Sequence, residues 1–282
     1  MAQDNSSHDL HTRPVIALMT DYGIDDGYVG IMKGVIAAIT PDALVIDITH
    51  TIGPQNVLSG AWILASGYRY FPKNTVFVCI VDPGVGSARR AIALHAGDWY
   101  FVGPDNGLFS YIMSEQTLHA TVLLKNSAYH LPSVSSTFHG RDIFAPVGAH
   151  IARGLTGIFS ELGPPVDPSS LMRLEVGGAV RDGTTINAHI VHVDNFGNLI
   201  TNISLTLVSE LYTVSYVQIV FKENGITVEK LRQFFADGPD DGQAFIYSDS
   251  SGYVGIAVRN GNAAETLGLG FGASLSLIMS KR

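Results

Sequence analysis

Six apolar residues in a row, Val76-Phe77-Val78-Cys79-Ile80-Val81, run straight into Asp82-Pro83-Gly84-Val85-Gly86. A solvated element does not carry such a run, so it constrains the fold more than any other stretch. It reads as a strand covered on both faces, the pattern of a parallel sheet. Pro83 has no N–H and biases Asp82 to an extended conformation, so the strand stops there. In open α/β sheets, ligands sit at the carboxyl ends of the strands. Asp82, with Arg89 and Arg90 close behind, therefore stands at a candidate site edge. A glycine-rich turn with a surface ion pair fits the same residues, and this stretch alone does not choose between the two.

Similar runs precede it. Residues 15–19 read as a first buried strand, ending at Thr20-Asp21-Tyr22-Gly23, and residues 44–48 as a second. Between them Val29, Met32, Val35 and Ile36 recur at helical spacing up to residue 39, with Asp26 placed to cap the helix and Pro41 to end it. A second helix is expected over residues 55–71, with Val57, Ala61, Leu64 and Tyr68 on one face. This β-α-β-α-β rhythm predicts an α/β domain with a mainly parallel sheet covered by helices. Residues 91–94 and 99–102 read as strands joined at Gly97-Asp98, residues 108–113 as a short helix and residues 143–152 as an apolar one. The His139-Gly140-Arg141-Asp142 turn puts polar groups at the start of that last helix, where anions and polarised groups are favoured.

The character of the chain changes past Gly163-Pro164-Pro165-Val166-Asp167-Pro168. Short strands at 186–193, 199–203, 216–221, 243–247, 253–258 and 275–279 alternate with turns, the pattern of a smaller all-β, barrel-like domain. The expected organisation is a disordered tail over 1–14, an N-terminal α/β domain over 15–163, a linker over 164–184 and a C-terminal β domain over 185–282. The first 13 residues are polar and carry no apolar h-region, so they do not read as a secretory signal. No apolar run approaches the ~18 residues of a membrane helix.

Charge and cysteine usage narrow the partners. The net charge is −8 with 17 Lys and Arg, which argues against nucleic acid or an anionic membrane surface as partner. Cys79 is the only cysteine, so neither a disulfide framework nor a cysteine-built zinc site forms within the chain, and a cytoplasmic location is expected. Charged residues are only 15% of the chain, compatible with a surface partly covered by another subunit.

Familiar catalytic motifs are missing. Gly84-Val85-Gly86 lacks the third glycine of a dinucleotide fingerprint, and there is no Walker A sequence and no Gly-x-Ser-x-Gly elbow. Asp21, Asp82, Asp105, His139 and Asp142 are ligand types, but none falls at His-x-x-x-His or Asp-x-Asp spacing, so no metal site is expected. Asp21 is either a turn former or a carboxylate placed for ribose hydroxyls. His139 is either a partly buried structural histidine or a functional one beside Gly140. Residues 194–198 carry hairpin chemistry, yet Phe196 in that turn would be costly to leave in water. Asp249-Ser250-Ser251-Gly252 reads as another hairpin turn.

In combination these stretches say more. Thr20-Asp21-Tyr22-Gly23, Met32-Lys33-Gly34-Val35-Ile36, Val81-Asp82-Pro83-Gly84-Val85-Gly86 with Arg89-Arg90, Gly103-Pro104-Asp105-Asn106-Gly107, Phe138-His139-Gly140-Arg141-Asp142, Asp194-Asn195-Phe196-Gly197-Asn198 and Gly261-Asn262-Ala263-Ala264 follow in one order. Together they resemble the S-adenosyl-L-methionine (SAM) hydroxide adenosyltransferase family, related to the fluorinase and chlorinase that make 5′-halo-adenosines. The resemblance runs from residue 15 to the C-terminus. It implies an N-terminal α/β domain, a linker and a C-terminal β-barrel-like domain. It implies homotrimers whose sites lie between the N-terminal domain of one subunit and the C-terminal domain of the next. The implied reaction takes SAM and water to adenosine and methionine, with no metal or organic cofactor.

The family's catalytic Asp-Arg-His set matches Asp82, Arg89 and His139. By the same resemblance Asp21 would hold the ribose hydroxyls, Asp194 the methionine ammonium, Ser250 its carboxylate and Asn198 the adenine edge. Phe196 and Phe235 would line or stack on the nucleoside. Where this chain has His139 and Gly140 the fluorinase has tyrosine and a fluoride-binding serine, and it has tyrosine in place of Asp82. A halide pocket thus looks replaced by water-activating groups. Ser251 stands where the fluorinase has an arginine near the methionine carboxylate. Two alternatives stay open: a SAM-dependent halogenase forming 5′-chloroadenosine, and a non-catalytic sensor of adenosine or SAM.

Overall fold

Alternation inside the run at 76–81 explains why it is apolar throughout. In the computed structural model, which describes residues 13–175 and 177–280, Val76, Val78 and Ile80 join one buried cluster and Phe77, Cys79 and Val81 another, on the opposite face of a sheet. That sheet comprises β1 (Val15–Thr20), β2 (Leu44–Thr49), β3 (Val76–Ile80), β4 (Ala91–Ala96), β5 (Trp99–Pro104) and β6 (Leu118–Leu123), in the order β2-β1-β3-β5-β4-β6. The β1–β2, β1–β3 and β3–β5 pairs are parallel, and β4 pairs antiparallel with β5 and β6. Helix α1 (Tyr28–Ile39) places Met32 and Ile36 in the first cluster, and α2 (Val57–Gly67) places Ala61 and Leu64 in the second. Helix α3 (Ser110–Glu115) adds Ile112 to the second cluster, and α4 (Ala145–Ala152) adds Val147 and Ile151 to the first.

Strands β2 and β3 flank β1 on opposite sides, so chain direction switches between β1 and β3. Ligands of open α/β sheets bind at such switch points, beyond the carboxyl ends of the strands. Asp21 and Asp82 follow β1 and β3 there, and the Asp21 N–H donates to the Ile80 carbonyl at 3.3 Å.

These elements belong to one compact unit, Met1–Leu174, and the rest to a second, Glu175–Arg282. The disordered tail expected over 1–14 lies, up to residue 12, outside the described residues. The second unit contains β7 (Val180–Asp182), β8 (Thr185–Val193), β9 (Leu199–Ser204), β10 (Tyr216–Phe221), β11 (Thr227–Val228), β12 (Ala244–Ser248), β13 (Tyr253–Val258), α5 (Ala263–Leu267) and β14 (Ser274–Ser280). They form an antiparallel sheet in the order β11-β10-β14-β8-β9-β13-β12, with β7 on β8. Beyond β11 the chain reaches β12: Ile246 donates to the Lys230 carbonyl and Arg232 donates to the Ile246 carbonyl. The two ends of the sheet thereby meet, giving the barrel-like form around a core that includes Ile186, Leu199, Ile219, Ile256 and Leu277.

Two local expectations need correction. Asp26 does not cap α1; the cap position is Gly27, so Asp26 precedes the helix by one residue too many to reach its free amides. Gln55 does not open α2, because its φ is +65° and only Asn56 caps the helix, accepting from the Ser59 N–H at 3.0 Å. No helix among the described residues is long and apolar enough to cross a membrane.

Candidate active site

The turn after β3 folds Arg89 back onto Asp82. Val85 N–H bonds the Asp82 carbonyl, Ser87 N–H bonds that of Gly84, and Ser87 Oγ accepts from Arg89 N–H. Arg89 Nε then lies 2.9 and 3.0 Å from the two Asp82 carboxylate oxygens, and Nη2 lies 2.5 Å from Oδ2. The side chains are 5% and 10% exposed, so this is a shielded ion pair. Arg90, its sequence neighbour, goes elsewhere. It bonds Asp105 and the Ser170 side chain and carbonyl, tying the segment after residue 164 to the first unit.

His139 comes from far along the chain, yet Arg89 Nη2 lies 2.8 Å from its Nδ1. Arginine has donors only, so Nδ1 accepts and the ring proton of the neutral imidazole resides on Nε2. Two devices bring the histidine there. Asp142, fully buried, accepts from the Ser135 N–H at 2.7 Å and pairs with Arg141. Burial opposes its charge, but Arg141 and the Ser135 N–H hold its carboxyl below the usual range. Gly86 is the second device: its φ is +77°, and a Cβ on it would sit 2.4 Å from the Ser136 carbonyl oxygen. The loop carrying His139 can cross the Asp82 turn only because nothing projects there. Past His139 the chain makes a π-helical turn, Gly140–Phe144, before α4. Such turns recur at functional sites.

Burial first, and the Arg89 charge second, push the His139 imidazole below its ordinary value of 6.5. The unfolded chain therefore binds a proton at a pH where the folded chain still refuses it. The stability contributed by a neutral His139 is complete above about pH 6.5 and is lost as pH falls from there toward the depressed folded value. Burial likewise lowers His95, His130, His150, His189 and His192. The urea midpoint is expected to drop between pH 7 and 5.5, and His139→Gln should make that drop shallower. An unchanged slope in the variant would show that His139 does not titrate as described.

Asp21 Oδ2 accepts from the Gln55 N–H at 2.8 Å, leaving Oδ1 for another donor. The turn around it is pinned from β2's end: Thr20 Oγ1 contacts His50 Nδ1 at 2.9 Å, and Gly23 N–H bonds the His50 carbonyl.

The other residues singled out from the sequence gather in the second unit. Asp194, Phe196, Asn198, Phe235 and Ser250 all line one cleft of ≈ 870 Å³. Asp194 closes the hairpin turn, taking the N–H groups of Phe196 and Asn198 on Oδ1 and the Asn198 side-chain NH₂ on Oδ2 at 2.8 Å. A carboxylate only accepts, so the amide orientation of Asn198 is fixed, and its carbonyl and second N–H remain for a partner. Gly197, at φ +80°, lets the Asn262 side chain pack against the turn, since a Cβ there would come within 2.0 Å of it. Phe235 and Tyr247 form an aromatic wall, with centroids 4.7 Å apart, and Phe196 is 75% exposed at the rim. Ser250 is exposed on the Asp249 turn, where Asp249 Oδ1 accepts from Ser251 N–H. Tyr247, Asp249 and Arg259 also line the cleft and were not singled out from the sequence. Burial, then the Asp249 and Asp194 charges, push the Tyr247 phenol up.

The arrangement thus offers a shielded carboxylate–arginine–imidazole set in one unit and an aromatic cleft with two carboxylates and a guanidinium on its lining in the other. Comparison with known proteins gives the family. Residues 16–162 match the family model described as SAM hydroxide adenosyltransferase N-terminal domain, and residues 188–276 match the corresponding C-terminal domain. A protein of Salinispora tropica named (R)-S-adenosyl-L-methionine hydrolase is 41% identical over 257 residues, 91% of this chain and 94% of its own length. A protein of Actinoplanes sp. named fluorinase is more distant, 27% identical across 86% of this chain and 90% of its own. The crystal structure of an uncharacterized conserved protein from Thermotoga maritima superposes with a TM-score of 0.86 at 34% identity, covering 93% of this chain and 99% of that one. The chain belongs to the SAM hydroxide adenosyltransferase family.

Proposed function

We propose that this chain hydrolyses SAM to adenosine and L-methionine, with Asp82, Arg89 and His139 as its catalytic residues. The observation that carries the reading is Asp82 and His139 joined through one guanidinium, in a chain 41% identical to a protein named as a SAM hydrolase. Water attacks C5′ in line with the C–S bond. The C5′–O bond forms as the C5′–S bond breaks, and its electron pair returns to sulfur as the neutral thioether of methionine. One water proton goes to the Asp82 carboxylate and from there to solvent. Arg89 makes one contact to Oδ1 and two to Oδ2 or shared between them, so Oδ1 has acceptor capacity left for that water. The Nε2–H of neutral His139 is a donor that holds the water oxygen. The guanidinium fixes both partners, which makes positioning its main contribution.

Charge is destroyed as a sulfonium meets a hydroxide-like nucleophile, and exclusion of water favours that step. The low exposure of Asp82 and Arg89 supports this account. Asp21 would take the ribose hydroxyls on its spare oxygen, Asn198 the adenine edge, and Phe196 and Phe235 the nucleoside faces. Asp194 would attract the ammonium and Ser250 the carboxylate of methionine. The reading further includes a homotrimer whose sites draw on two subunits, a cytoplasmic location, and no metal or organic cofactor. Light scattering on the purified protein tests the trimer.

The deciding experiment supplies both sulfonium epimers of SAM in ¹⁸O-water, without added metal and with chloride present. The expected products are methionine and adenosine labelled at the 5′-hydroxyl. Unlabelled adenosine would sink the mechanism, and 5′-chloroadenosine would replace it with the halogenase alternative.

A further inference from the structure

The turn after β1 brings one more polar group to the Asp82 set. The Tyr22 ring is held by apolar contacts, 5.9 Å centroid to centroid from both Tyr28 and Phe138. Its N–H bonds Thr20 Oγ1 at 3.2 Å. Its hydroxyl meets no hydrogen-bond partner among the described residues. That hydroxyl points at Gly140, the residue after His139. A Cβ built on Gly140 would lie 2.6 Å from the Tyr22 oxygen, and 3.3 Å from the ends of the Ile80 and Met32 side chains, which need give only a few tenths of an ångström. The phenol oxygen therefore occupies the space a side chain at position 140 would need. Half-buried, it feels the charges of the Asp82 carboxylate and the Arg89 guanidinium and lies against the residue that follows His139. The hydroxyl is free to donate and to accept, and a small polar molecule held by the trio would meet it there.

We propose that the Tyr22 hydroxyl hydrogen-bonds the attacking water and is a fourth catalytic residue of this site. The proposal rests on the hydrolysis reading above. Tyr22 gains and loses no proton in the reaction. Burial first, then the Asp21 and Asp82 charges, push its ionisation up, so it stays a neutral phenol. The water proton still goes to Asp82. What Tyr22 adds is a third fixed contact: its oxygen accepts the water's second O–H, so that with one O–H on Asp82 and one lone pair on the His139 Nε2–H the remaining lone pair is directed at C5′.

Four proteins test this: the wild type, Tyr22→Phe, Gly140→Ser, and the double variant. Tyr22→Phe keeps the ring and its packing. Its kcat for SAM is expected to fall about tenfold, with KM and melting temperature nearly unchanged. Gly140→Ser alone should lower the melting temperature by roughly 5 °C, because its Cβ meets the phenol oxygen. In the Tyr22→Phe background the same substitution should cost little stability. There it returns a hydroxyl to nearly the same point and should recover kcat about threefold over Tyr22→Phe. A Tyr22→Phe enzyme with wild-type kcat overturns the proposal and leaves the hydrolysis reading intact. So does a Gly140→Ser melting penalty that persists in the double variant, because the two groups then do not share that space. No labelled adenosine from the wild type overturns both.

Discussion

Asp82→Asn is expected to slow adenosine formation by about 10³-fold, the range of a lost general base, or about 4 kcal/mol of transition-state stabilisation. Asparagine keeps the shape and one acceptor for Arg89, but it cannot take the water proton. It also turns an NH₂ toward a guanidinium that has only donors. The loss should fall on kcat, because the nucleoside is proposed to be held by Asp21 and by the lining of the second unit's cleft, and Asp82 is in neither. Calorimetric titration with adenosine is therefore expected to give near wild-type affinity. That pairing of results separates an enzyme from a non-catalytic sensor, which has no turnover to lose. The side chain is 5% exposed and its partner 10%, so emptying the pair with alanine would leave a buried guanidinium uncompensated at a cost of several kcal/mol. Asparagine is the cleaner probe, and a melting curve checks that the fold survives. An Asp82→Asn enzyme with more than a tenth of wild-type turnover would remove Asp82 from its proposed role.

Much of the scaffold was legible because burial on two faces leaves an unbroken apolar record. β3 and β1 are examples, and their parallel pairing followed from the intervening helix. β6 escaped for the opposite reason. It is an edge strand, Leu-His-Ala-Thr-Val-Leu, with exposed His119 interrupting the apolar pattern. The start of α2 was misjudged because a positive φ at Gln55 is a property of the turn, and periodicity cannot register it. The Asp82–Arg89 pair was readable as a local spacing. His139 was not readable by itself. A lone histidine becomes a partner of Arg89 only through Asp142, which grips its loop, and Gly86, which lets that loop pass. Resemblance to a family supplied what spacing could not. Tyr247 and Asp249 were given no site role because strand alternation and a hairpin turn account for them fully until the cleft beside them is seen.

Gly86→Ala carries the second large effect, and it tests the geometry without touching any reacting group. At φ +77° an alanine costs about 1–2 kcal/mol in backbone strain. Its Cβ would also sit 2.4 Å from the Ser136 carbonyl oxygen. That neighbour is backbone and cannot rotate away, so the loop must lift. Overpacking of this kind adds about 1–3 kcal/mol. His139 stands three residues beyond Ser136, and its 2.8 Å contact with Arg89 depends on where that loop lies. A displacement near 1 Å is enough to lower turnover by about 10²-fold. Gly84→Ala is the control two residues away. Its Cβ would meet the Arg89 Cγ at 3.2 Å and the Ser87 Oγ at 3.4 Å, contacts relieved by a few tenths of an ångström, and neither is on the loop that carries His139. It should cost far less in both stability and rate. The informative measurement is kcat for SAM at a temperature well below the melting point of each variant, where loss of folded protein contributes nothing. If Gly86→Ala melts early yet turns over at the wild-type rate, the loop crossing is needed for stability alone. His139 would then not need its observed place beside Arg89. If rate and stability both fall, while Gly84→Ala stays near the wild type, a single missing side chain is what allows a distant histidine to join Asp82 and Arg89.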